Sequence, residues 1–272
     1  EHQETVAHLA RRGIPVEMNE PNHWASRWAH DTVVVADYGL ITAVMEQCGV
    51  ADMIFQFQLN KPAETGDYAD LAKMGAALEL VGRLKGNARA WRETRAGIEH
   101  FSPDPAEAKY QLARTTLLQM ILEPHMIHLV SYCEARHAAT VQDIVESAQI
   151  VRHAARLFKK HAPDLMKYRN QNEVVERKHY LLKEAEYLLH AIARLHPRYE
   201  PGSLQSIASM LADPFILEAA VKHRFMAAPG LVHPDYPYPR LVTRPSRHGF
   251  FDVYEEEGVQ ILKEAERLSL QQ

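Results

Sequence analysis

Cysteine is scarce. Cys48 and Cys133 are the only two in 272 residues, too few for a disulfide scaffold and without the paired spacing of a structural zinc site, so a reducing cytoplasm is the expected setting. No segment approaches the roughly 18 consecutive apolar residues of a membrane span, and the first residues lack the basic-then-apolar pattern of a leader. A soluble chain with no membrane partner is expected. Lysine and arginine form no run, and the formal net charge of −4 leaves no concentrated basic face for a nucleic-acid backbone. Gly-x-Gly-x-x-Gly follows none of the strand-like segments, which weighs against a dinucleotide-binding sheet. Sixteen histidines are present but no His-Glu-x-x-His. His125 and His128 straddle a strand start, where alternation sends their rings to opposite faces, so no protein-bound metal is expected.

What is present is a globular composition, 46% hydrophobic and 24% charged, sufficient for a core, and an alternation of strands with helices. Residues 4–12 read as a helix stopped by Gly13, followed by an extended segment over 14–19. After a loop at Glu20-Pro21-Asn22-His23, Val34, Tyr38, Ile41 and Met45 recur at helical spacing, and Gly49 closes that helix. Residues 51–58 form the clearest strand, apolar enough for a sheet covered on both sides. A polar loop over 60–66 leads to a helix capped by Asp67, with Leu71, Met74, Leu78 and Val81 inward and Gly86 at its end. A third strand over 90–94 is interrupted by Arg92 and Glu93, and Ser102-Pro103-Asp104-Pro105 opens a helix running to about Leu122. Residues 126–132 read as the fourth strand. Thr140 and Asp143 then form a capping box for a helix facing inward through Ile144, Ala148, Val151, Ala155 and Phe158.

Such alternation implies parallel pairing and an α/β fold. Four strand-helix units over 1–163 make half of a (β/α)8 TIM-type barrel, and the remainder of the barrel is expected from elsewhere. The chain begins at Glu1 without Met and so reads as a processed product or a piece of something longer. From 164 to 272 the alternation stops. A helix presents Leu181, Ala185, Leu188, Ile192 and Leu195 on one face; an irregular wrapping segment rich in proline, including Tyr236-Pro237-Tyr238-Pro239, follows, and a last helix is expected from about Glu255.

Barrel enzymes place reacting groups at the C-terminal ends of their strands and in the loops just beyond. That rule selects Glu17, Asn19, Glu20 and His23 after the first strand, Gln58 and Asn60 after the second, Glu93 and Arg95 by the third, and Ser131, Tyr132, Glu134 and His137 after the fourth. Glu20 and Glu134 are the candidate catalytic carboxylates, although a carboxylate before a helix also serves as an ordinary helix-dipole partner. Arg95 and His23 would bind an anionic substrate, since a guanidinium grips a carboxylate with two parallel hydrogen bonds, and Gln58 and Asn60 would orient it. Cys133 reads as a buried structural thiol. Trp24, Arg27 and Trp28 read as a wedge between barrel and tail rather than a pocket lining.

Several segments share order and spacing with one family. They are Gly13-Ile14-Pro15-Val16 leading into Asn19-Glu20-Pro21, Gly39-Leu40-Ile41-Thr42 leading to Gly49-Val50, Asp70-Leu71-Ala72 after the second strand, and Glu134-Ala135 before the helix-opening Thr140. Over about residues 1–160 the chain resembles the large (epsilon) subunit of glutamate mutase, also called methylaspartate mutase. The resemblance implies the C-terminal half of the barrel and an isomerase that rearranges a small carboxylic or amino acid by radical chemistry initiated from adenosylcobalamin. It implies that Glu134, with Ser131 and His137 beside it, meets the adenosyl group, although Val130 stands where that family has a lysine. The Asp-x-His-x-x-Gly motif that places a cobalt-binding histidine is absent. The resemblance thus implies that the cofactor is held mainly by another cobalamin-binding domain or subunit, with the N-terminal half-barrel as a second partner. Two other readings stand beside it: a non-catalytic assembly subunit, and a cobalamin-independent barrel lyase or hydrolase using paired carboxylates.

Overall fold

The computed structural model describes residues 2–231, 233, 241–255, 258–261 and 263–270. The chain runs α1 (His2–Ala10), β1 (Val16–Met18), α2 (Glu20–Ser26), α3 (Asp31–Gln47), β2 (Asp52–Leu59), α4 (Asp67–Leu84), β3 (Arg89–Ala96), α5 (Pro105–Ile121), β4 (Met126–His128) and α6 (Val141–Leu165). The tail adds α7 (Asn172–Ala193), α8 (Leu204–Leu211), α9 (Pro214–Lys222), β5 (Leu241–Pro245), β6 (Phe251–Glu255), β7 (Gln260–Ile261) and α10 (Glu264–Ser269). Strands β1 to β4 lie side by side in chain order, all parallel. The molecule is therefore a mixed α/β fold built on a four-stranded parallel sheet.

The two faces of that sheet are chemically different. Met53, Phe55, Phe57 and Leu59 alternate to one face, where they are fully buried in one core with Tyr38, Leu80 and Leu181 of the helices. Tyr38 stacks on Phe57 with ring centroids 4.9 Å apart, and each such ring contributes about 1.5–3 kcal/mol by leaving water. The alternate positions of β2, namely Ile54, Gln56 and Gln58, lie in register with Trp91, Glu93 and Arg95 of β3, and Met126 and His128 of β4 continue the row. The expected covering of this strand on both sides holds from Phe55 to Leu59, but at Gln56 and Gln58 what is covered is polar.

Four other local readings are corrected. Residues 20–23 are helical rather than a loop, because Pro21 sits in the first turn, where its fixed φ and missing N–H cost nothing, and Glu20 faces the helix N-terminus. Asp67 is the first residue of α4, not its cap; Gly66 takes that place without a side-chain bond, and Asp67 instead pairs with Arg114 at 2.6 Å. The fourth strand stops at His128 because Ser131 accepts from the Cys133 N–H and turns residues 132–135 into a short 3-10 helix. In α6 the expected box of Thr140 and Asp143 forms, but the buried line is Ser147, Ala154 and Phe158, and Ile144 is 47% exposed.

The tail is not irregular throughout. Strands β5, β6 and β7 pair antiparallel in that order, and the last helix starts at Glu264 rather than near Glu255, which ends β6. Residues 236–239, read as part of the wrapping segment, lie outside the described residues. A buried ionic clamp fastens this sheet to the helices. Arg177 on α7 reaches Asp31 on α3 at 2.8 Å and Asp252 on β6 at 2.7 Å, and Asp31 also accepts the Phe251 N–H at 3.1 Å. A second group joins α10: Glu264 meets His30 at 2.5 Å and Arg267 at 2.6 Å. Burial alone would raise the Glu264 carboxyl, but Arg267 and His30 pull it down to about 2.

Helix α5 starts as its sequence requires, with Asp104 accepting from the backbone N–H groups of Ala106 and Glu107 and Pro105 opening the first turn. Asp104→Ala is expected to lower stability by about 1 kcal/mol, read as a shift in the urea midpoint at unchanged slope; an unchanged midpoint would contradict the assigned cap.

Candidate functional site

The polar row of the parallel sheet converges on Gln56. Its Nε2 donates to Glu17 Oε1 at 2.9 Å and to Glu93 Oε1 at 2.8 Å, and lies 3.4 Å from His128 Nδ1. His128 Nδ1 is in turn 3.1 Å from Glu93 Oε1. Gln56 is fixed from behind: Asn22 of α2 donates to its Oε1 at 3.1 Å, and the Tyr38 hydroxyl donates to its backbone carbonyl at 2.7 Å. Flat strands about 4.8 Å apart would put β1 and β4 about 14 Å from each other. That side chains from both reach one amide fits a sheet curled toward this face.

Two carboxylates held on one amide repel each other. The Glu17 carboxyl is raised above its ordinary value, first by burial and then by Glu93, against the opposing pull of His128 and Arg95. Glu17 is itself exposed, so it can exchange a proton with a ligand. Arg95 is the other notable member. It lies between Gln58 and His128 in register, makes no ion pair among the described residues, and its Nε is shut off from water without a hydrogen-bond partner. An unpaired, partly desolvated guanidinium on the same strand as Glu93 and within electrostatic reach of Glu17 suits a ligand carrying both charges.

The residues expected from sequence separate into two groups. Gln58 and Arg95 occupy neighbouring positions on this face. Asn60 is turned into the fold instead: its φ is +55°, its N–H donates to Asp70 at 2.6 Å, and its Oδ1 accepts from Thr115 at 2.8 Å. Glu20 and His23 are exposed on α2, and the Glu20 charge acts on buried Asp37, whose carboxyl is raised well above its usual range by burial first and by Glu20 second. Glu134 and His137 are exposed just beyond β4, whereas Ser131 is buried with its Oγ 3.2 Å from Cys133 Sγ and 3.1 Å from Ser147 Oγ. Glu17 and Glu93 stood among the strand-end residues but not among the chosen site, His128 was weighed only as a metal ligand, and Gln56 was not singled out. Their signal was polar residues two apart inside an apolar strand, repeated on neighbouring strands.

No protein-family model and no curated protein matches the chain.

Proposed function

We propose that the chain is the substrate-holding barrel component of a mutase-like isomerase acting on a small carboxylic or amino acid at the polar face of the parallel sheet. The observation that carries this reading is the unpaired Arg95 facing the Glu17–Gln56–Glu93–His128 cluster. Arg95 grips a substrate carboxylate, Gln58 orients it, and Glu17 with Glu93 receives an ammonium or a proton. Four parallel strands in chain order, with a polar group on one face and helix-backed on the other, support reading the sheet as the C-terminal half of a (β/α)8 barrel completed by a complementary half.

The resemblance implies adenosylcobalamin, and this chain's residues make a poor site for it. Val130 is buried and apolar, Ser131 is already held by Cys133 and Ser147, and of the residues carried over for cofactor contact Glu134 and His137 alone are presented outward. A separate cobalamin-binding domain or subunit would supply the cofactor. The raised Glu17 carboxyl beside Glu93 favours a second reading, a cobalamin-independent lyase or hydrolase using a carboxylate pair.

Calorimetric titration with small amino and dicarboxylic acids separates these ideas. Arg95→Gln is expected to weaken binding roughly ten- to hundredfold, the value of about 1.5–3 kcal/mol for hydrogen bonds to a charged group; unaltered affinity would remove Arg95 from the site. With partner subunits and adenosylcobalamin present, the mutase reading requires a cob(II)alamin radical signal on adding a bound acid. Binding without any radical leaves the carboxylate-pair chemistry.

A further inference from the structure

Beyond β4 the chain makes a tight turn that brings three metal-ligating side chains together. Cys133 and His137 are four residues apart on one turn, closed by the His137 N–H donating to the Cys133 carbonyl at 3.1 Å. Asp143 comes from the first turn of α6. The Cys133 sulfur, a His137 ring nitrogen and an Asp143 carboxylate oxygen lie within 4.8 Å of one another, and His137 Nε2 is 3.9 Å from Asp143 Oδ2. Ligands around a tetrahedral zinc stand roughly 3.3–3.7 Å apart, given metal–ligand bonds of about 2.0–2.3 Å. Side-chain movements of about 1 Å therefore close the set.

The surroundings are those of a supported donor set. The capping box holds Asp143 Oδ2 through the Thr140 N–H at 2.9 Å and the Thr140 hydroxyl at 2.6 Å, and the Tyr132 hydroxyl reaches Oδ1 at 3.2 Å. Ser131 Oγ stands 3.2 Å from the sulfur, placed to hydrogen-bond a thiolate. Such outer contacts fix ligand orientation. Cys133 is buried while the His137 side chain is 46% exposed, so the set is closed behind and open to water in front.

We propose that Cys133, His137 and Asp143 bind one divalent transition-metal ion of the zinc class, with water in the fourth position. A thiolate with an imidazole selects zinc or cobalt over magnesium or calcium, and three protein ligands leave one coordination position for water or a ligand carboxylate. On binding, the Cys133 S–H bond breaks, its proton passes to solvent, and the sulfur electron pair enters the metal–sulfur bond. The site is independent of the function proposed for the sheet face.

Cobalt(II) is the probe, added to the intact chain under reducing conditions. The expected result is one equivalent bound, with a thiolate-to-cobalt charge-transfer band in the near ultraviolet. Because the chain has two cysteines, that band is assignable: Cys133→Ser abolishes it and Cys48→Ser leaves it intact. His137 is exposed, so His137→Ala keeps the fold, checked by circular dichroism, and weakens cobalt binding beyond the roughly 10–100-fold typical of losing an outer-shell contact. Absence of the band, its persistence in Cys133→Ser, its loss in Cys48→Ser, or unchanged affinity in His137→Ala would overturn the assignment.

Discussion

Arg177→Leu is expected to remove about 3–5 kcal/mol of folding stability, because it strips the cation from a buried ion pair and leaves the carboxylates behind. Arg177 is 8% exposed and holds Asp31 and Asp252 on two different layers. Its guanidinium also lies 4.9 Å from the Tyr180 ring centre and 4.7 Å from that of Phe250. Burial alone would raise the Asp31 carboxyl, yet Lys73 and Arg177 hold it below its ordinary value; leucine removes one of those two supports. The geometry makes the effect directional, since the lost bonds join α7 and α3 to β6. Urea denaturation should show the lowered stability, and limited proteolysis should cut within the β5–β7 region before the parallel-sheet core is attacked. Arg177→Lys keeps the charge but cannot fork between two acids, so it should fall between wild type and leucine. A leucine variant within about 1 kcal/mol of wild type would mean that packing, not the clamp, holds the tail, since surface changes outside named mechanisms rarely exceed about 0.5 kcal/mol.

Much of the helical framework could be read from spacing, because the burial it encodes is local. Leu181, Ala185, Leu188 and Ile192 are buried along α7, although Leu195 falls past its end, and Val34, Tyr38, Ile41 and Met45 are buried in α3, which is covered on every side from Asp31 to Met45 rather than on one face. The Thr140–Asp143 box needs only residues three apart, and it forms. The failures have a different cause. Residues 126–132 look like one strand by composition, but Ser131 bonding to the Cys133 N–H diverts the backbone, and such side-chain competition leaves no periodic trace. Strand β6 pairs antiparallel on both sides and is tied to α7 by the Arg177 clamp. The strand partners are its hairpin neighbours in the chain, whereas Arg177 lies far away in sequence, and no local pattern announces that contact.

The candidate site was half legible for the same reason. Position at a strand end is a local property, and it selected Gln58 and Arg95, which share the polar face. Asn60 met the same rule, yet its left-handed backbone and its bonds to Asp70 and Thr115 commit it to shaping the end of β2. Gln56 as a hub requires knowing that β1, β3 and β4 flank β2 or its neighbour in chain order, so that Glu17, Glu93 and His128 lean onto one amide. The Cys133–His137–Asp143 set is split between a turn and a helix cap, a spacing that no linear ligand motif contains.

Between about pH 5 and about pH 7.5, Asp70→Asn is expected to gain about 3 kcal/mol of stability relative to wild type, at about 1.36 kcal/mol per pH unit of unmatched protonation. Asp70, Asp31 and Asp252 are three buried acids served by two buried cations, Lys73 and Arg177. Arg177 takes Asp31 and Asp252, and Lys73 stands closer to Asp31, at 3.3 Å, than to Asp70, at 3.8 Å. Asp70 is the acid left short. Burial pushes its carboxyl up to about 7, against the pull of Lys73 and of the Asn60 N–H. A folded-state value above the unfolded one means that the native protein binds the proton more tightly. This contribution is therefore complete below the unfolded value near pH 4 and is lost as pH rises through about 7. Asparagine still accepts from the Asn60 N–H and never ionises, so it suffers no such loss. Histidine titrations cancel in the wild-type minus variant difference, which should widen up to neutrality and then level. A difference that stays flat across this range would show that Asp70 is ionised throughout and that Lys73 neutralises it after all.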